Sequence, residues 1–212
     1  MNKENQQNAW IKTGSICGLL GGCMYFAAAF LTMPDLLVYI AAFGFGPLLA
    51  IGCTGIYYFL SDGDSSPRLQ IAVVSAIAGG ITLLLMLTVQ QSIFSMTEKT
   101  PDNSSAEIMA VGKRMNKGLN SIHYGLDIAW DVLISVATIL FGYSMTKKTA
   151  LWKIAGFIGL ALGLLLLAFN LYHFPIPPES AGSIDWGPFT AMWYLFIFIL
   201  LLTRKRSLPG KI

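Results

Sequence analysis

The chain has 212 residues, 55% hydrophobic and 12% charged, with a formal net charge of +3 and a mean hydropathy of +0.63. Soluble domains carry roughly 25% charged residues, so this composition excludes an ordinary soluble enzyme. It equally excludes a nucleic-acid-binding domain, which needs a basic, solvated face. The cysteines Cys17, Cys23 and Cys53 all fall in apolar runs, which argues against a disulfide framework and provides no metal-ligand spacing.

Long apolar runs predict an all-α polytopic membrane domain covering residues 1–212, with six spans at about 11–33, 36–60, 69–94, 119–145, 151–174 and 189–203. The first run follows Lys3 and Lys12 and exceeds the roughly 7–15-residue apolar region of a signal peptide, so a retained helix is expected. Its glycines Gly14, Gly18, Gly21 and Gly22, like Gly79-Gly80 in the third run, suit close helix packing. The second run begins beside Asp35. Gly44-Phe45-Gly46-Pro47 interrupts it and predicts a kink or a broken helix. The third run ends with Gln90 and Gln91.

Residues 95–118 form the longest polar connection. Thr100-Pro101-Asp102-Asn103 is turn chemistry, and Ser104 with Glu107 matches a capping box. Ile108, Val111 and Met115 then share a face, which predicts a short amphipathic helix lying on the membrane surface.

The fourth run carries His123, Asp127 and Asp131. At about 100° per residue these three side chains share one helix face, and Asp131 lies roughly 12 Å deeper than His123. Each central Asp disfavours insertion by about 2.5–3.5 kcal/mol, whereas a Leu, Ile, Val or Phe favours it by only about 0.3–0.6. Such residues are expected to face the bundle interior and to mark a functional site. The fifth run ends with Asn170 and His173, and the following loop, FPIPPESAGSIDWGPF, offers Glu179, Asp185 and Trp186. Its prolines stiffen it, so it can cap the bundle and hold Asp185 and Trp186 near His173. Pro188 suits the start of the sixth helix and Trp186 an interfacial anchor. A weak echo links Phe45-Gly46-Pro47-Leu48 to Trp186-Gly187-Pro188-Phe189, as a parallel hairpin repeat would.

Orientation follows from the basic residues. With both termini cytoplasmic, ten Lys and Arg lie inside and four outside, in accord with the positive-inside rule. Gln90, His123, Asp127, Asp131, Asn170, His173, Asp185 and Trp186 then gather on the extracytoplasmic side. They predict a pocket between the third, fourth and fifth helices, capped by the fifth loop.

Three functions compete. The first is a transporter- or receptor-like protein that binds a small solute, cation or proton. Desolvation and mutual repulsion oppose double ionisation of Asp127 and Asp131, so a proton or cation fits between them. The second is a membrane-embedded hydrolase, with zinc held by His123, Asp127, His173 and Asp185. The third is a structural, assembly or immunity protein in which these groups only bond helices together. The strings GLDIAWD, NLYHFPIPP and IDWGPF, within Leu119–Trp193, resemble those of small six-helix bacterial membrane proteins. That resemblance implies an inner-membrane location, with the lipid bilayer as partner, and assigns no substrate or catalytic residue.

Overall fold

A computed structural model describes residues 2–61, 66–98 and 106–204. These residues form six helices and no strand: α1 (Lys3–Phe30), α2 (Asp35–Ser61), α3 (Pro67–Glu98), α4 (Ala106–Met145), α5 (Ala150–His173) and α6 (Gly187–Thr203). Five are long and apolar enough to cross a membrane. With 17 residues, α6 reaches about 26 Å, a little under the roughly 30 Å hydrocarbon core.

Two expectations change. The amphipathic stretch after residue 106 is not a separate surface helix: it is the opening of α4, which runs unbroken for 40 residues, about 60 Å. Continuous backbone hydrogen bonding through Gly112 and Gly118, both helical, removes the bend that a surface helix would need. Ser104 of the capping box lies outside the described residues. The second change concerns Gly44-Phe45-Gly46-Pro47, which does not break α2. Pro47 sits inside a continuous 27-residue helix, next to Gly46, which packs against the Gly80 backbone of α3. The two Gly-Pro pairs also occupy different helical positions, mid-helix for Pro47 and the first turn of α6 for Pro188.

Glycines explain how the helices come together. A Cβ at Gly14 would stand 2.6 Å from the Gly55 Cα, and one at Gly156 would stand 2.6 Å from the Gly142 carbonyl oxygen. Gly80 meets the Gly46 backbone in the same way. In an apolar solvent helices associate through close packing rather than through a hydrophobic effect, and backbone-to-backbone seams maximise it. The seams join α1 to α2, α2 to α3 and α4 to α5. The α3–α4 pair is adjacent, with Gly79 of α3 against Leu133 and Trp130 of α4. Gly159 receives the Trp193 ring of α6, while Gly18 and Gly22 receive Phe198 and Leu195. The helices therefore form a ring in chain order, closed by α6 against α1.

Phe45, Ile56, Ile134, Phe141, Leu166, Ile197 and Phe198 fill its centre. Ile71, Val74, Ile81, Ile154, Phe157 and Leu164 remain exposed on the outside, as apolar solvent around the bundle requires.

Candidate functional site

The seams above leave adjacent chambers at the end of the bundle where α3 and α5 finish and α4 enters. Asp131 is the acid they share. It is only 6% exposed. Asn170 of α5, fully buried, donates from Nδ2 to Asp131 Oδ2 at 2.9 Å and to the Leu166 carbonyl at 3.0 Å. Both amide protons are thus committed, and Asn170 Oδ1 has no partner among the described residues.

The outer chamber has a volume of about 130 Å³ and is lined by four carboxylates: Asp127, Asp131, Glu179 and Asp185. Its wall is aromatic. Tyr25 of α1 packs on Phe45 of α2 at 5.0 Å, and Phe45 meets Trp130 of α4 edge-on at 6.1 Å. The charged groups bearing on Asp127 are Glu179 and Asp185, and those on Asp131 are Asp127, Asp185 and Glu179. All four acids act on the Tyr25 hydroxyl. No basic side chain among the described residues is one of these influences. The inner chamber is smaller, about 50 Å³, and mostly apolar, with Leu49, Ile134, Leu166 and Phe198 in its walls.

The loop reaches this position through its own backbone. Pro177 and Pro178 are buried, the Ser183 N–H donates to the Pro178 carbonyl at 2.8 Å, and Gly182 takes φ +77°. That left-handed conformation suits glycine, which has no Cβ to clash. Asp185 Oδ1 then accepts the Gly187 N–H at 2.7 Å as α6 starts, a local side-chain-to-backbone bond of the kind that starts helices. Glu179 stays exposed at the rim. Partial desolvation there, aided by the Asp185 charge and opposed by a backbone hydrogen bond, still pushes its carboxyl above the ordinary value.

As pH falls, the Glu179 charge is therefore expected to be lost in a window above the normal glutamate range, in a chamber that Asp127, Asp131 and Asp185 also line. Glu179→Gln should remove that proton uptake from a potentiometric titration of the protein.

The predicted residues separate into two groups. Asp127, Asp131 and Asp185 share the chamber, and Asn170 supports it from behind. Gln90, His123 and His173 are half-buried and do not line either chamber. His123 stands beside Tyr124 with its Nε2 unpartnered among the described residues. His173 packs edge-on against Tyr172 at 4.8 Å and near Phe169 at 6.4 Å. Trp186 also turns to Phe169, at 6.0 Å, so this ring lies against both Trp186 and His173. Where a pocket between the third, fourth and fifth helices was expected, α1, α2 and the start of α6 also supply walls of the outer chamber, and α5 lines only the inner chamber, through Leu166. The zinc ligand set also fails to assemble. No group of three or more His, Cys, Asp or Glu among the described residues could hold a metal ion, and neither imidazole lines the acids' chamber.

Tyr25, Phe45 and Trp130 were not expected as site residues, since an aromatic in an apolar run looks like any core residue. At Tyr194, in the wall of the inner chamber, lies a buried polar pair that was also missed. The Thr138 hydroxyl lies 2.7 Å from the Ile134 carbonyl and hydrogen-bonds the Tyr194 hydroxyl at 3.0 Å. Tyr194→Phe should cost about 1 kcal/mol of bundle stability, measurable by thermal unfolding in detergent.

Fold and site together define a helical bundle of membrane-length helices with an acid-lined chamber at one end. No protein-family model, curated protein or solved structure matches the chain.

Proposed function

We propose that this is a six-span, inner-membrane protein with cytoplasmic termini, whose outward-facing chamber binds a small cation in a transporter- or receptor-like role. The observation that carries the reading is the convergence of Asp127, Asp131, Glu179 and Asp185 on one cavity, with no basic side chain among the described residues acting on Asp127 or Asp131. Four carboxyl groups lining one concavity favour a positively charged occupant, and an intramembrane acid is a functional feature by default. The charge asymmetry of the loops supports the orientation.

The Asn170–Asp131 bond favours a second, structural reading. Interhelical polar bonds average about 0.6 kcal/mol, however, against an insertion cost of about 2.5–3.5 kcal/mol for a central Asp. That imbalance favours the binding role.

The test is calorimetric titration of methylammonium into protein reconstituted in nanodiscs. Wild type should bind saturably, and Asp127→Asn should weaken binding by at least tenfold while the protein stays folded. Undiminished binding in Asp127→Asn, or none in wild type, would overturn the proposal.

A further inference from the structure

The two chambers differ in chemistry but share residues. Tyr25, Phe45, Trp130, Asp131 and Gly187 line both, so a single molecule could reach from one into the other past Asp131. The outer chamber is acidic. The inner one opens on Leu49, Ile134, Leu166 and Phe198. A ligand complementary to both has a positive head and a short apolar tail.

We infer that the ligand is a small primary alkylammonium ion, its head held at Asp131 and Asp127 and its tail lodged in the inner chamber. This rests on the cation-binding reading above and names the substrate class of that site. Asp131 is more than nine-tenths buried and receives one hydrogen bond among the described residues, to Oδ2 from Asn170. Asp131 lines both chambers, and its other oxygen accepts no hydrogen bond among the described residues. A primary ammonium carries three N–H donors, enough to serve that oxygen and Asp127 together. A quaternary ammonium carries none and would leave the buried acid unpaired. The rings of Tyr25 and Trp130 stand at the junction, where cation–π attraction adds to the selection for an organic cation.

Size sets the tail. A water-sized group needs roughly 10–15 Å³ of such space, so an inner chamber of about 50 Å³ takes about four groups. The outer chamber, about 130 Å³, is a little below the roughly 150 Å³ of a cavity that accepts benzene. It has room for the ammonium and its first carbon, with water beside them. The optimum falls near butyl- or pentylammonium. A phospholipid ethanolamine headgroup presents the same ammonium, but its phosphate would follow within two carbons and meet Asp131 and apolar walls with no cation to balance it. A free amine suits the chambers better.

The experiment titrates methyl-, ethyl-, butyl- and octylammonium into protein in phosphatidylcholine nanodiscs, with empty nanodiscs correcting for partition into lipid. Affinity should rise up to about fourfold per methylene as far as butylammonium, and rise no further by octylammonium. Ala191, which lines only the inner chamber, provides the tail test. Ala191→Phe should flatten the chain-length series while methylammonium still binds. Leu49→Ala should move the optimum one or two carbons longer, which keeps the test decisive if Ala191→Phe does not fold. Saturable methylammonium binding without chain-length dependence would overturn the alkylammonium inference and leave the cation-binding function standing. Competition by added phosphatidylethanolamine would overturn the free-amine assignment. No binding of any of these cations would overturn both readings.

Discussion

Gly46→Leu is expected to abolish the folded bundle. The Cβ would be driven into the Gly80 carbonyl oxygen, with the Gly80 carbonyl carbon and the Leu84 nitrogen both 3.3 Å away. Every one of these atoms is backbone, so no rotamer change can make room and α2 must move off α3. Overpacking costs about 1–3 kcal/mol where a core can adjust; here the obstruction is a rigid helix, and the loss should exceed that range. The displacement would also shift Phe45, which is part of the outer chamber's wall. Gly125→Ala is the matched control, because nothing lies within 4 Å of a Cβ there. It should gain up to about 1 kcal/mol from helix propensity. Size-exclusion profiles and thermal unfolding in detergent would separate the two variants, and a Gly46→Leu protein as monodisperse and stable as wild type would disprove the seam argument.

That contrast also shows what the sequence could reveal. All 21 glycines are visible in it, yet only the structure separates Gly46 and Gly142, pressed against a neighbouring backbone, from Gly112, Gly118 and Gly125, which face open space. Apolar run length made the helices legible, since hydrophobicity at bilayer scale is a property of local sequence. The boundaries were less so: α4 starts at Ala106, thirteen residues before the fourth apolar run, because polar residues there continue a helix that hydropathy does not register. Helical spacing placed Asp127 and Asp131 on one face because that relation is local. Which neighbours meet them is a matter of long-range packing. Tyr25 and Phe45 come from helices far away in sequence, and no local pattern announces them. The histidines misled for the complementary reason. Their chemistry is conspicuous, but the Tyr172, Phe169 and Tyr124 contacts that occupy them are side-chain packing that periodicity does not encode.

Asp131 should yield two opposite effects, and the pairing distinguishes a binding site from a structural one. Removing one partner of a buried, hydrogen-bonded charge pair costs about 2–5 kcal/mol of binding energy. Asp131→Asn should therefore weaken butylammonium binding by at least about 30-fold. On stability, the single change Asp131→Leu leaves Asn170 Nδ2 with only the Leu166 carbonyl and one proton unpaired, a penalty of about 1–3 kcal/mol that offsets the benefit of removing the acid. Replacing both partners, Asp131→Leu with Asn170→Leu, removes that orphan too. Replacing both partners of a buried hydrogen bond by apolar side chains is nearly neutral or stabilising, so the double variant should unfold at or above the wild-type temperature while binding no alkylammonium. A bundle built around the Asn170–Asp131 bond would do the reverse and lose stability in the double variant. Thermal unfolding and calorimetry on the same three proteins separate these cases, because a residue kept for a ligand withholds from the fold the stability that an apolar side chain would supply.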